Sequence, residues 1–331
     1  MLRKTIQRKN VTIGNARVTN LHWMAKNRLL GYRNKELTRI KMQPHISPRS
    51  IFLVDSAVYS DFLGYVDASI LDTPVSIITF PKIKLRSCSY PSFQGKFRIV
   101  QRHYLENGEG IIFKQISPTL KYEDDKKLTI LSVELRIAKL IGHHTNIVDY
   151  HGLFMKNSEC FLVQTFESSL SAKDLFMNKL TVTKEGLAAV LYGICDGMTY
   201  MHKKGFLNNN ITPANISLRS GCEYYTPVFL SLSMACREKN AKVLTSIQQL
   251  RYEDSLHLPQ RVRQGLEAPS YSSDRYAVGL FIGNVIGVTK ERFHTQLESI
   301  HRRCFRMDRG ITAGYFFRVI SECCMRMGYC N

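Results

Sequence analysis

Cysteine is the residue type in this chain with the widest chemical repertoire, because thiolates can bind metals, form disulfides or act as nucleophiles. The sequence has nine cysteines at irregular intervals. The adjacent pair Cys323-Cys324 has no second pair at zinc-finger spacing, and an odd count in a chain of 331 residues does not indicate a disulfide framework. We therefore predict reduced thiols, as in an intracellular protein, and no metal site built on cysteine.

Basic side chains are concentrated at the start of the chain. The whole sequence carries a formal charge of +19, and residues 1–49 account for +11 of it, with Glu36 as their single acid. Such a segment repels itself and attracts polyanions, so nucleic acid, an anionic membrane surface or an acidic protein are candidate partners. The simplest interpretation is a solvated basic arm, because its aromatic residues, Trp23 and Tyr32, are too few for regular base stacking.

The composition is that of an ordinary globular protein. Hydrophobic residues make up 44% of the chain and charged residues 22%, which excludes a fibrous or wholly disordered protein. The most apolar stretch, residues 277–288, is shorter than the roughly 20 residues that span a bilayer. The first ten residues lack the apolar core of a secretory signal. We predict an intracellular protein of the cytoplasm or nucleus, without a membrane helix.

The hydrophobic pattern indicates a strand-rich half followed by a helical half. Residues 97–116 have β-branched and aromatic residues on both sides of a Gly-containing turn, which predicts a hairpin with Lys114 in its second strand. The next segment has Glu134 beside an apolar stripe at helical spacing, formed by Leu128, Leu131, Leu135, Ala138 and Ile141.

Two further strand patterns follow at residues 146–154 and 160–167, and the period is helical from Lys184 until Gly205. Apolar residues before Pro81 could add a strand or a helix to this arrangement, without a role that the pattern identifies.

Five strings in this order resemble the eukaryotic protein-kinase fold: IIFKQI, VELRIAKLIGHHTNIVDYHGLF, GICDGMTYMHKKGFLNNNITPANISL, SSDRYAVGLFIGNVIG and RRCFRMDRGITAGYFFRVI. Five ordered matches are much more specific than one. The resemblance implies a two-lobed α+β fold with a small β-rich lobe and a mainly helical large lobe. The implied domains are a basic N-terminal extension, partly ordered at best, at 1–85, an N-lobe at 86–168 and a C-lobe at 169–331.

The resemblance assigns the nucleotide-facing positions of the small lobe. Lys114 stands where the family has the lysine that grips the phosphates of ATP, and Glu134 is the candidate for its carboxylate partner. Alternatively, the same two residues could form an ion pair that only stabilises the small lobe and takes no part in nucleotide binding. Gly95 is the single glycine where the family has a Gly-rich phosphate loop, so we expect weak ATP binding there.

The family's chemical residues are mostly replaced. In the string LNNNITPANISL, Asn208, Asn209, Asn210, Thr212 and Asn215 stand at the family's His, Arg, Asp, Lys and Asn. Only the last is retained, and it could bind a metal or merely brace the loop. Asn210 is a negligible base, and positioned general bases typically contribute about 10²–10⁴-fold.

The family's metal-binding Asp-Phe-Gly triplet falls on Ser231, Leu232 and Ser233. A hydroxyl in place of a carboxylate removes the main anionic ligand for Mg²⁺, so we expect poor binding of the metal.

Other matches concern the framework. Asp274 stands where the family has an aspartate that holds the catalytic-loop backbone, and His202 matches a packing histidine at the end of a helix. Glu267 is a candidate for the activation-segment glutamate, with Arg309 as its partner.

These matches predict a pseudokinase that scaffolds or regulates through protein binding, with a kinase or a kinase substrate as partner. One alternative is an active atypical serine/threonine kinase that uses ATP. A second alternative is a nucleic-acid-binding protein that acts through its basic arm.

Overall fold

The computed structural model describes residues 68–75, 77–78, 85–86, 93–94, 98–118, 124–156, 159–177, 179–243, 255–288, 294–305 and 313–328. The basic segment 1–49 lies outside the described residues, and so do Gly95 and Arg309. The predictions that concern the arm, the phosphate loop and the Glu267–Arg309 pair fall on these positions.

The first half of the described chain forms one mixed sheet with a long helix. Its strands are β1 (Ile77–Ile78), β2 (Leu85–Arg86), β3 (Phe93–Gln94), β4 (Arg98–Leu105), β5 (Gly110–Ile116), β6 (Tyr150–Lys156) and β7 (Glu159–Thr165). The spatial order is β1-β6-β7-β5-β4-β2, and β3 also pairs with β4. The predicted hairpin is β4–β5, closed at Gly108 with φ +84°, a conformation that glycine adopts without strain.

Helix α2 (Asp124–Ile141) covers one face of this sheet with the middle of its predicted apolar stripe, whereas Leu128, the first residue of that stripe, is 37% exposed. Leu131 and Leu135 are fully buried and pack with Ile116, Leu153 and Leu162 of the sheet. Burial of an aliphatic side chain contributes about 1.5–3 kcal/mol before other terms are counted, so the stripe fixes the side of α2 that meets the sheet. Glu134 lies on that same buried side.

Residues before the predicted lobe boundary also belong to the sheet. A short helix α1 (Ala68–Leu71) contacts α2, and β1 pairs in parallel with β6. Lys139 of α2 donates to the Pro74 carbonyl at 2.8 Å. The predicted boundary between residues 85 and 86 falls within strand β2, so the described small lobe includes residues that the sequence pattern assigned to the extension.

The second half is mainly helical. It contains α3 (Ala172–Phe176), α4 (Lys184–Lys203), α5 (Gln260–Arg263), α6 (Tyr271–Val288), α7 (His294–Phe305) and α8 (Ala313–Arg326), with short strands β8 (Phe206–Leu207), β9 (Ile216–Ser220), β10 (Tyr225–Phe229) and β11 (Cys236–Arg237). Helices α4, α6, α7 and α8 enclose a single apolar core.

Helix α4 has the ends that its sequence predicts. The Thr183 side chain accepts from the Gly186 N–H at 3.1 Å at the start of the helix, and Gly205 follows its end with φ +79°. Within α4, a Cβ on Gly193 would come within 2.6 Å of Pro227, so glycine permits the close approach of α4 to β10. This approach sets the position of the loop that follows α4.

No helix in the described ranges is long and apolar enough to cross a membrane. The seven cysteines within the described ranges are all free thiols. The same ranges hold no group of three or more His, Cys, Asp or Glu side chains placed to hold a metal ion.

Candidate active-site cleft

Strand alternation positions the lysine of the cleft. Lys114 lies on β5 opposite Val100 of β4, and residues paired across a sheet share a face. Arg98 is two residues before Val100 on the same strand, so its side chain lies on the same face as Lys114. Both side chains are mostly buried, with 8% of Lys114 and 13% of Arg98 exposed.

Glu134 joins helix α2 to this face. Its Oε1 lies 3.7 Å from the Lys114 Nζ, and its Oε2 lies 2.7 Å from an Arg98 nitrogen. Oε1 also accepts from the Tyr150 hydroxyl at 2.8 Å and from the Leu232 N–H at 3.2 Å. With 1% of its side chain exposed, Glu134 is a buried carboxylate whose partners come from β4, β5, β6 and the segment that contains Leu232.

The charges around Glu134 change its proton affinity. Burial alone would raise the pKa of Glu134, but Arg98 and Lys114, together with the Tyr150 hydroxyl, outweigh burial and lower the pKa to about 2. The carboxylate is therefore ionised at neutral pH, and the predicted Lys114–Glu134 pair is present with a third member.

Lys114 itself is fully engaged by the protein. Its Nζ donates to the Leu230 carbonyl at 2.5 Å, in addition to the ion pair with Glu134. Burial lowers the pKa of Lys114 to about 8, because the ammonium loses water, and the nearby Glu134 reverses only part of this effect. An ammonium held against a backbone carbonyl has less capacity left for an external anion.

The loop after α4 is held from beneath by one carboxylate. Asp274 at the start of α6 is 1% exposed, and it accepts from the Asn208 N–H at 2.7 Å and the Asn209 N–H at 2.8 Å. The His202 Nε2 lies 2.9 Å from the same side chain. These contacts place Asp274 and His202 in the framework roles that the sequence resemblance implied.

The neutral residue at the family's catalytic position is part of a local amide network. The Asn210 Oδ1 accepts from the Asn215 Nδ2 at 2.8 Å, and the Asn210 N–H donates to the Asn208 Oδ1 at 3.0 Å. Asn209 has φ +56°, a left-handed conformation that asparagine tolerates better than most residues. Its amide donates to the Met234 carbonyl at 3.1 Å, so this side chain braces the segment that follows the cleft.

Ser231 and its neighbours form the other wall. The Ser231 hydroxyl donates to the Ser233 Oγ at 2.9 Å, while Leu232 is completely buried in the large-lobe core. Leu232, which stands at the Phe of the family's triplet, is therefore part of the apolar core. Neither serine supplies an anionic oxygen.

The family's fold implies ATP with Mg²⁺ in this cleft, but the donor set does not fit the metal. A hard divalent cation takes oxygen ligands, with at least one carboxylate in most phosphoryl-transfer sites. The two candidates here are a hydroxyl on Ser231 and an amide on Asn215 whose NH₂ group faces Asn210. Glu134, whose Oε1 lies 3.4 Å from the Ser231 hydroxyl, is already paired with two cations.

Sequence reasoning identified five of the described cleft positions and missed two partners. It named Lys114, Glu134, Asn210, Asn215 and Ser231, and the structure places the first two in one cluster, the next two in hydrogen-bond contact, and Ser231 at 3.4 Å from Glu134. It missed Arg98 and Tyr150. Strand parity from Lys114 through Val100 could have identified Arg98, but nothing in the sequence pairs Tyr150 with Glu134.

Glu267 is in contact with a residue that the sequence did not suggest. Its Oε2 lies 3.3 Å from the Arg261 Nε on the preceding helix. The predicted partner, Arg309, lies outside the described residues.

Comparison with known proteins agrees with this fold. A model of the protein kinase domain matches residues 94–225. The chain therefore contains a protein kinase-like domain, and the neutral residues at its chemical positions make that domain a degenerate one. Both the predicted superfamily and the predicted two-lobed α+β fold are confirmed.

Two kinds of curated relative show where the similarity lies. STE20-related kinase adapter protein alpha is 26% identical over 197 residues in Homo sapiens and 25% identical over 181 residues in Gallus gallus. These matches cover 57% and 54% of this chain, and 44% and 46% of the relatives. Serine/threonine-protein kinase Tao of Drosophila melanogaster is 25% identical over 128 residues, which are 39% of this chain and 12% of that protein. The chain therefore spans about half the length of the adapter relatives that it matches.

Proposed function

We propose that this chain is a pseudokinase that regulates or scaffolds other proteins by binding them. The observation that carries the proposal is the amide network at the catalytic position. Asn210 cannot accept a proton from a substrate hydroxyl near neutral pH, and its Oδ1 is occupied by the Asn215 amide at 2.8 Å. A binding role requires a shaped surface but no base.

The metal position supports the same function independently. Ser231 stands at the metal-binding aspartate, and its hydroxyl is hydrogen-bonded to Ser233. Phosphoryl transfer depends on charge around the phosphates, which Mg²⁺ and a lysine supply in active kinases. We therefore propose that ATP binds weakly and that Mg²⁺ does not strengthen it.

The relatives support a protein partner. One group carries the name kinase adapter protein, and its match covers 57% of this chain, which supports a similar role here. We propose that the partner is a protein kinase or a kinase substrate. The described cleft and framework would present a kinase-like surface to such a partner.

A radiolabelled phosphotransfer assay tests the loss of activity. The purified chain and Lys114→Ala are incubated with ATP and either Mg²⁺ or Mn²⁺, with a serine/threonine kinase as positive control and a mixed peptide library as acceptor. We expect equal background incorporation for both chains. Incorporation by the wild-type chain that disappears in Lys114→Ala would refute the proposal.

The binding role needs its own test. Proteins that copurify with the tagged chain are identified by cross-linking mass spectrometry and then reconstituted from purified components. We expect a stoichiometric complex with a protein kinase or one of its substrates, and a change in that kinase's turnover when the chain is added. A chain that forms no reconstituted complex would contradict the binding role even if phosphotransfer is absent.

A further inference from the structure

Arg98 is a buried cation beside Lys114, the residue at the family's phosphate-binding position, and both cations pair with Glu134. It is the first residue of β4, and β3 ends at Gln94, so Arg98 directly follows the segment that contains Gly95. We propose that Arg98 is a positioning residue that locks helix α2 to the sheet and keeps polyphosphate out of the cleft. The inference rests on the proposed function, because a phosphotransferase could not keep its phosphate site closed.

The geometry of the ion triad supports a lock. Arg98 and Lys114 lie on one face of the sheet, and Glu134 reaches both from α2. The Arg98 pair is shorter than the Lys114 pair, at 2.7 Å against 3.7 Å. Arginine keeps its charge at all physiological pH values and presents a rigid fork of donors. Arg98 is therefore the closer of the two cations to Glu134, through one of its guanidinium nitrogens.

The buried triad keeps a net positive charge, so it is the existing contacts of its two cations that disfavour an added polyphosphate. Glu134 neutralises one of the two cations, and the Lys114 ammonium is already bonded to the Leu230 carbonyl. A triphosphate would have to draw Arg98 or Lys114 away from a carboxylate that is 1% exposed. Removal of one partner from a buried pair is strongly unfavourable, because the other charge remains buried without compensation.

Hydrogen exchange and thermal unfolding of the full chain test the lock. The variants are Arg98→Ala and Arg98→Lys, with Lys127→Gln as the control, since Lys127 is on the same helix and its pair with Asp124 is exposed. We expect Arg98→Ala to lower Tm by about 4 °C or more and to raise amide exchange along α2, with Arg98→Lys in between. Lys127→Gln should change neither. Exchange along α2 that is the same in Arg98→Ala and in the wild type would overturn the lock.

Nucleotide titration tests whether Arg98 keeps polyphosphate out of the cleft. ATP is titrated by calorimetry in EDTA and in Mg²⁺ into the wild-type chain and the same three variants. We expect Arg98→Ala to bind ATP at least about tenfold more tightly than the wild type, a difference of about 1.4 kcal/mol, in both buffers. Weaker ATP binding by Arg98→Ala than by the wild type would make Arg98 a phosphate ligand and overturn the proposal. Unchanged affinity would overturn it as well.

If Arg98→Ala does not fold, Arg98→Lys is used for both measurements. This variant keeps a positive charge and replaces only the planar guanidinium. It should loosen α2 and strengthen ATP binding by a smaller factor, and the reverse direction contradicts the lock. These outcomes are separate from the phosphotransfer assay. A wild-type chain that transfers no phosphate but needs Arg98 to bind ATP leaves the pseudokinase proposal intact and removes this one.

Discussion

The residues that hold the catalytic-loop backbone and the residues at the family's chemical positions differ in charge. Asp274 is ionisable, buried and bonded to two backbone N–H groups and to His202. By contrast, Asn210, Asn215 and Ser231 are all neutral. A backbone can be held in the kinase arrangement by one carboxylate beneath it, whatever side chains it carries toward the cleft. Kinase shape and kinase chemistry therefore depend on separate residues in this chain.

The small lobe has the opposite arrangement. There, charge is retained and even increased, since Arg98 joins Lys114 at Glu134. The consequence is structural, because the buried triad ties α2 to the sheet. The charges that hold the fold are therefore retained in both lobes, whereas the carboxylates that would act on a phosphate are replaced by neutral residues.

The largest expected effect comes from the charge beneath the loop. Asp274→Ala would leave two backbone N–H donors and His202 buried without their acceptor, so we expect a loss of about 3–5 kcal/mol in the free energy of unfolding. Urea unfolding measures it, with Asp196→Ala as the control, because the Asp196 contact with His144 is long, at 3.5 Å, and partly exposed. Equal midpoints for the two variants would mean that the loop is held by other contacts.

The second largest expected loss of stability comes from Glu134, the single anion of the small-lobe triad. Glu134→Gln would leave Arg98 and Lys114 buried without an anion, and we expect a loss of about 3 kcal/mol at pH 7. Glu298→Gln, which breaks an exposed pair with Arg302, should change stability by less than about 0.5 kcal/mol.

The difference in unfolding free energy between the wild type and Glu134→Gln should also depend on pH. The pKa of Glu134 is lowered from 4.5 to about 2 in the folded chain, so its stabilising contribution is complete above pH 4.5 and declines as pH falls toward 2. The gap between wild type and Glu134→Gln should therefore narrow over that range. A constant gap from pH 7 to pH 3 would contradict the charged triad.

The smallest effect distinguishes the two amides of the loop. In Asn210→Asp, the Asn215 amide still faces an acceptor, so we expect a stability change below about 1 kcal/mol and still no phosphotransfer, because Ser231 and Thr212 remain neutral. In Asn215→Asp, two acceptors face each other, and the loss should be about 1–3 kcal/mol. Thermal unfolding of both variants gives the comparison. Phosphotransfer by Asn210→Asp would show that the missing base alone limits the wild-type chain, and it would contradict the expectation that neutral Ser231 and Thr212 also prevent transfer.

Much of the fold was predictable because it follows from local periodicity. The apolar stripe of α2, the hairpin around Gly108 and the ends of α4 each depend on residues that are close in the chain. The lobe boundary was not predictable in the same way. Strand β1 has two residues and pairs with β6, which is more than 70 positions later, so only long-range pairing identifies it.

By itself, the sequence determined which charges are present at the chemical positions, because the side chains at 210, 212 and 231 are neutral in any fold. Tertiary structure decided what the remaining charges do. Glu134 can pair with Lys114, Arg98 or Tyr150 only after α2 packs on the sheet, and electrostatic energies depend on distance and burial, which no residue type specifies. The partnership of Arg98 with Glu134 is therefore a property of the folded chain.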